Sequence, residues 1–384
     1  MARRKRGSTS VAFGDVVRLY KERTSDPDAD GFDRYVGLEH LDPGDLRIRR
    51  WGDVADGTTF TNVFRPGQVL FGKRRSYQGK VGIADFEGVC SSDIYVLEPK
   101  DVDVLLPDLL PFICQSEAFR EFAVGTSAGS LSPRTNWSSL ATFEFELPDS
   151  DAQMQVVDVL RAIQRTTVCL QGVATTADQT RSSLLEHALG SGQWPMRPLG
   201  ELANVTSGGT PSRSNPAYWN GDIPWVKTGE VDYSRISTAE ESITPAGLEN
   251  SSARIVPAGA VLMAMYGQGP TLGRVARLSI DAATNQACAI LEPSEELDGS
   301  FLYFYLWHRY QAIRGLARGA SQPNLNLGLV KSIPIPQPSI AIQQHLSTQL
   351  DSLVSAHEAA SRRAESAQRF RDVFICRHLR TDST

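Results

Sequence analysis

"AQMQVVDVLRAIQRTTVCLQGVATTADQTRSSLLEHAL", from Ala152 to Leu189, has no proline and only one glycine, Gly172. So long a stretch without a breaker reads as a single helix. Val156, Leu160, Ile163, Thr167, Leu170, Ala174, Ala177, Arg181, Leu184 and Ala188 follow one another at alternating steps of four and three. Adding 190 to each number lands on Leu346, Leu350, Leu353, His357, Ala360, Ala364, Ala367, Arg371, Phe374 and His378, inside a second proline-free stretch from Ala341 to Leu379. The two segments share one heptad register. Such a stripe needs a partner helix, and the nearest partner is the other copy, with packing of each helix on its own domain as the alternative. If the chain leads out along one helix and back along the other, the two pair antiparallel. At about 1.5 Å per residue, Val156 to Ala188 covers about 50 Å.

A similar offset, drifting from 186 to 194 and settling at 190, joins the rest of the chain. "FGDVV" at 13–17 aligns with "LGELA" at 199–203, "RPGQVL" at 65–70 with "PAGAVL" at 257–262, "YVLEP" at 95–99 with "AILEP" at 289–293, and "SPRTNW" at 132–137 with "QPNLNL" at 322–327. An internal repeat of this kind sets the architecture before any local reading. It divides the chain into a first head at 1–150, a central helix at 151–190, a second head at 191–340 and a C-terminal helix at 341–384. Inside the heads, short β-branched and aromatic runs such as "IYVLEP", "DIPWVKTGEV", "AVLMAMY" and "ACAILEP" predict strands. "PFICQSEAFREFAVG" at 111–125 and "FLYFYLWHRYQAIRGLARG" at 301–319 predict helices ending at Gly125 and Gly319. The fold class is therefore α+β, with two globular heads, two long α-helices pairing as an antiparallel coiled coil and a pseudo-two-fold internal repeat. The aromatic cluster Phe301 to Tyr310 reads as core rather than as a base-stacking platform.

The chain has 384 residues, 41% of them hydrophobic, and a net charge of −5. Its longest apolar run, Phe301 to Trp307, is far short of the roughly 20 residues that cross a bilayer. The basic start is followed by no signal-peptide core, so a cytoplasmic location with no membrane contact is expected. Cys90, Cys114, Cys169, Cys288 and Cys376 are scattered and predict reduced, mostly buried thiols. His40, His187, His308, His345, His357 and His378 show no ligand pairing. Negative charge opposes indiscriminate nucleic-acid coating, but residues 71–80 carry four cations and no acid. With Tyr and Gln interleaved, this loop suits phosphate and base contact, or is a solvated tip.

"NPAY" at Asn215–Tyr218 is one residue from the Asn-Pro-Pro-aromatic signature of DNA amino-methyltransferases. Catalysis there also needs a Gly-rich loop between a strand and a helix to seat S-adenosylmethionine. The one candidate, "VGTSAGS" at 124–130, follows a predicted helix and precedes a strand. Gly208, Gly209 and Pro211 therefore read as turn makers, and Asn215-Pro216 as a second turn presenting Tyr218 and Trp219. No phosphate loop and no His-Glu-x-x-His motif is present, and no catalytic or metal-binding residue is expected.

The segments "GGTPSRSNPAYWNGDIPWVKTGEV" (208–231), "VLMAMYGQGPTLGRVA" (261–276) and "GASQPNLNLGLVKSIPIPQP" (319–338) resemble, in order, the target recognition domains of the DNA-sequence specificity subunits of type I restriction-modification systems. The first half lacks Gly-Gly-Thr-Pro and reads "YKERTSDPDADGFDRYVGLEHLD" at 20–42, which leaves its contacts there unassigned. The resemblance implies two target recognition domains that read a bipartite sequence in double-stranded DNA, and no chemistry or cofactor in this chain. It implies two modification subunits that carry S-adenosylmethionine, and two ATP- and Mg-dependent restriction subunits that join them. Motif position nominates Lys73, Arg74, Arg75, Tyr77, Gln78, Lys80, Ser130, Arg134 and Asn136 in the first head as DNA contacts. In the second it nominates Thr210, Ser212, Lys227, Thr228, Tyr266, Gln268, Arg274, Gln286, Ser321, Gln322 and Asn324. Turn formation is the competing role, above all at Thr210, Ser321, Gly267, Gly269 and Gly273. Two other functions are compatible with the residues: a coiled-coil interaction or regulatory protein with two β-rich ligand-binding heads, or a stand-alone DNA methyltransferase.

Overall fold

The computed structural model describes residues 8–127, 133–190, 192, 194–267, 269–317 and 324–379. The chain forms two compact units, Met1–Val173 with Ala359–Thr384, and Ala174–Glu358. Two helices of 40 residues each, α1 (Ser150–Leu189) and α2 (Ile340–Leu379), contribute to both.

In the first unit, antiparallel strands Ser8–Ala12 and Glu144–Pro148 bring the start and end of the head together. Its main sheet contains β1 (Val17–Leu19), β2 (Val69–Gly72), β3 (Val81–Ile83) and β4 (Ile94–Pro99), in the order β1-β4-β2-β3. A second sheet joins Arg34–Val36, Gly52–Asp53, Asn62–Phe64 and Gly88–Cys90. The segment 111–125 is two helices rather than one, Leu110–Gln115 and Glu117–Gly125. Ser116 separates them with extended backbone: its hydroxyl donates to the Ile113 carbonyl at 2.8 Å and accepts the Phe119 N–H at 3.2 Å. That is the local bonding by which serine leaves a helix interior and caps the next one.

The second unit repeats the plan. Met196–Pro198 pairs with Pro334–Pro336. The main sheet contains β5 (Ala203–Ser207), β7 (Val261–Ala264), β8 (Val275–Leu278) and β9 (Cys288–Pro293), in the order β5-β9-β7-β8 with Arg235–Ile236 at the edge; β6 (Trp219–Val226) lies in a three-stranded sheet. Register repeats as well: Phe71 opposes Tyr95 in the first unit, and Met263 opposes Ala289 in the second. The predicted helix at 301–319 is Gly299–His308 and Tyr310–Gly315, divided at Arg309; Gly319 lies outside the described residues. Phe301, Tyr303, Phe304 and Tyr305 are buried in the core, as the aromatic run suggested.

Within each unit the long helices pack together. In the first, Val156, Val157 and Leu160 of α1 share a hydrophobic cluster with Ile375 and Leu379 of α2. In the second, Leu185 lies in one cluster with Leu346 and Leu350, and the His357 Nδ1 sits 3.0 Å from the Ala174 carbonyl. The start of α1 thus meets the end of α2, and the end of α1 meets the start of α2, which is antiparallel pairing. Each predicted seam position is buried or half-buried except His378, which is exposed. Its ring turns to the Phe374 carbonyl at 2.8 Å, and Leu379 takes the buried place.

Two glutamines fasten the helices to the heads. Gln153 is 1% exposed; its amide donates to the Val104 and Pro148 carbonyls and accepts the Leu106 N–H, at 2.8, 2.8 and 2.9 Å. Gln343, 190 residues later and fully buried, donates to the Glu296 and Pro338 carbonyls and accepts the Asp298 N–H. A buried amide with donors and acceptors matched on both units fixes the angle at which each helix leaves its head.

Opposite charges mark the next equivalent position. Asp351 receives Arg277, at 3.2 Å from one guanidinium nitrogen, and Arg235 at 2.9 Å. Arg161, in the same place on α1, pairs with Asp108. Burial opposes ionisation of Asp351, but the hydrogen bonds from Arg277 and Arg235 outweigh it and hold the carboxyl below the usual carboxylate range.

Candidate nucleic-acid interface

In the first head the nominated residues from two distant stretches come together. The Lys73 N–H donates to the Asp93 carbonyl, the Thr135 N–H to the Lys73 carbonyl and the Arg75 N–H to the Pro133 carbonyl, so the basic loop lies beside the segment carrying Arg134. Asp93 organises the group: Arg74 approaches it at 3.3 Å and Arg134 at 3.0 Å. Arg75 has φ 55°, in the left-handed region that an arginine rarely adopts, and opens a 3₁₀ turn at Ser76–Gln78. That turn raises Tyr77 to 54% exposure. Lys80 is held inward by the Leu38 carbonyl at 2.6 Å. Lys73 is half-buried with its ammonium 4.6 Å from the Tyr95 ring centroid. Asn136 accepts the Ser139 N–H at 2.8 Å and caps a short helix, a structural role that leaves its amide nitrogen to spare. Ser130 lies outside the described residues.

The second head gathers its candidates into two groups. Thr210 donates to Gln286, and Thr228 donates to Asn285 at 2.8 Å. The tight approach of these segments explains the paired glycines: a Cβ on Gly208 would stand 2.2 Å from the Thr284 carbonyl oxygen, and one on Gly209 2.3 Å from Ala253 N. Ser212 shares a hydrogen bond with Ser214, and its carbonyl accepts the Trp219 indole N–H at 3.1 Å. Asn215 accepts the Ala217 N–H and begins a 3₁₀ turn at Pro216–Tyr218, so "NPAY" is the turn that its residues suggested. Lys227 lies between Glu240 and Glu241, at 2.7 and 3.2 Å.

The other group surrounds the β7-β8 turn. Tyr266 is 41% exposed, Arg274 pairs with Asp232, and the Leu325 N–H donates to the Met265 carbonyl, which puts Asn324 next to Tyr266. The Asn324 side-chain oxygen is buried with no hydrogen-bond partner among the described residues. Gly267, Gly269 and Gly273 all have positive φ, the turn-making role expected of them. Gln268, Ser321 and Gln322 lie outside the described residues.

Two organising residues escaped the sequence reading. Asp93 lies in "CSSDIY" with no basic residue beside it, and meets Arg74 and Arg134 only across the fold. Arg213 stacks over Trp219, 3.7 Å from its ring centroid, and pairs with Glu241; its place within the "TPSRSNPAYW" motif was the available signal. Among the described residues no group of His, Cys, Asp and Glu could hold a metal ion, and no helix is long and apolar enough to cross a membrane. Cys90, Cys114 and Cys288 are buried, and Cys169 and Cys376 exposed. Burial pushes the Cys90 thiol up to about 12.

The geometry can be set beside known proteins. The Type I restriction modification DNA specificity domain matches residues 20–173 and again 192–365. The MjaIX specificity subunit of Methanocaldococcus jannaschii is 29% identical over 41% of this chain and 37% of its own length. The EcoR124I/EcoR124II specificity subunit of Escherichia coli is 28% identical over 44% of this chain and 43% of its own. The aligned part of the chain thus spans less than half of either relative. The HindI specificity subunit of Haemophilus influenzae is 19% identical over 85% of this chain and 89% of its own length. The type I restriction-modification S subunit from M. genitalium has the same fold at 16% identity, with a TM-score of 0.63, 99% of this chain and 98% of that one being covered. Two tandem matches that together take in most of the sequence, on two structurally repeated heads, place the chain in the family of type I restriction-modification DNA specificity domains.

Proposed function

We propose that this protein is the DNA-reading specificity subunit of a type I restriction-modification complex and performs no chemistry of its own. The observation that carries the reading is the convergence, in the first head, of the loop at 73–80 with the segment at 133–136 around Asp93. Cationic and aromatic side chains on one loop cluster suit contact with phosphates and base edges. Tyr266, Arg274 and Asn324 hold the corresponding place in the second head. Each head reads one half-site through the nominated residues, at about 1–3 kcal/mol per good bidentate base contact. The target is bipartite, as expected for two similar modules joined by a spacer.

In functional terms residues 1–150 and 191–340 are the two recognition domains, 151–190 the spacer, and 341–384 its partner. Two modification subunits dock on the helices and supply S-adenosylmethionine. Restriction subunits, where present, supply ATP hydrolysis with Mg. The complex works in the cytoplasm, where its DNA is.

Methylome sequencing of the host with and without the gene tests this. The expected result is loss of one bipartite methylated motif; an unchanged methylome would refute the reading. Insertion of four residues into each long helix lengthens the spacer by about 6 Å, hence the gap in the motif by about two base pairs. An unchanged gap would refute the spacer role.

A further inference from the structure

Strand β1 of the first head continues as Tyr20-Lys21-Glu22-Arg23, where the second head runs into Ser207-Gly208-Gly209. Beside it lies a cavity of about 380 Å³ whose walls include Tyr20, Lys21, Arg23, Asn62, Lys73 and Tyr95. Three of these are cations, and no acid lines the space. The neighbouring acids are engaged elsewhere: Asp93 by Arg74 and Arg134, and Glu22 by Arg65 and Tyr20. Arg23 is held at the cavity by a backbone bridge to Asn62. Burial pulls the Lys73 ammonium below its ordinary value, against the attraction of Asp93.

A half-buried ammonium with like charges nearby is unfavourable unless an anion joins it. Continuing the repeat, Lys73 corresponds to Met265, Tyr95 to Ala289 and Arg23 to Gly209. Met265 and Ala289 are buried core residues. In the second head Gly208 and Gly209 instead let backbone segments close against one another at this place.

We infer that this cavity seats one backbone phosphate of the target duplex, held by Lys21, Arg23 and Lys73, and that it belongs to the first head alone. A guanidinium and two ammonium groups match a phosphodiester's oxygens, and Lys73 also begins the loop proposed to read bases. The seat fixes the register of the first half-site. The inference rests on the DNA-reading function proposed above.

The test uses the full chain with its methylating partner subunit on a duplex carrying the methylated motif. Lys73→Met, which installs the residue of the second head, and Arg23→Gln are compared with wild type across salt concentrations. Each should bind about tenfold more weakly, with the slope of log K against log salt shallower by about one. In a scan that neutralises single phosphates as methylphosphonates, one position in the first half-site should weaken wild type about tenfold and leave Lys73→Met almost unchanged. Wild-type affinity and slope in both folded variants would overturn the seat while leaving DNA reading intact. Failure of wild type to prefer the motif would instead overturn the DNA reading, and the seat with it. Thermal protection by millimolar inorganic phosphate or a deoxynucleoside monophosphate, abolished by Lys73→Met and with no sensitive duplex phosphate, would make this a small-molecule site and overturn the inference.

Discussion

The two heads share strand order and register yet solve the opening of the main sheet differently. In the second, Gly208 and Gly209 let three backbone segments touch, and Thr210 and Thr228 bond to Gln286 and Asn285 across the junction. In the first, Glu22 and Arg23 stand at those places, their backbone pairs with residues 61–63, and a cationic cavity lies beside them. One scaffold thus presents a tight polar junction in one head and a charged pocket in the other. The helices contrast with this: their matched residues do matched work, from Gln153 and Gln343 to the buried Leu160 and Leu350.

Those differences can be tested in order of size. Leu160→Ala and Leu350→Ala each empty a fully buried position at equivalent points of the helices. Both should destabilise the chain by about 3 kcal/mol in urea-induced unfolding, and a large difference between them would break the equivalence.

Asp351→Asn strands the guanidinium of Arg277, whose side chain is 9% exposed, and should cost about 3 kcal/mol. Asp108→Asn, which breaks the exposed pair with Arg161, should cost less than about 1 kcal/mol. The sign with pH follows from the depressed carboxyl of Asp351: its contribution is complete above the ordinary aspartate range and is lost as pH falls through the lower folded value. Wild type should therefore lose stability below about pH 4 more steeply than Asp351→Asn, measured as the urea midpoint against pH.

Gly208→Ala forces a Cβ against the Thr284 carbonyl and should cost about 2 kcal/mol, whereas Glu22→Ala should change stability by about 0.5 kcal/mol or less. Equal effects would mean that the junctions are alike after all. The smallest stability change, within about 0.5 kcal/mol, is expected for Tyr77→Ala and Tyr266→Ala at exposed loop positions. Their effect should appear in half-site affinity, read by electrophoretic shift on duplexes altered in one half at a time.

The repeat, the long helices with their seam, the aromatic core of the second head and the turn at "NPAY" were legible because each depends on periodicity or local turn chemistry. The helix break at Ser116 was less so, since a serine is equally at home within a short helix and at its cap. The hydrogen-bond positions of Gln153 and Gln343 were hidden for a different reason. A glutamine near a helix start looks solvated until its partner backbone N–H and carbonyl groups arrive from residues about 45 positions away.

The same reasoning separates the two kinds of information in this protein. Spacing alone determined that the chain is a duplicated α+β module on paired helices, because helical and strand periods are written in every few residues. Only the tertiary structure decided that Lys73 meets Tyr95, that Asp93 gathers Arg74 and Arg134, and that a cavity opens at Arg23. Long-range approach of side chains depends on how whole strands pack, and no short stretch of sequence carries that distance.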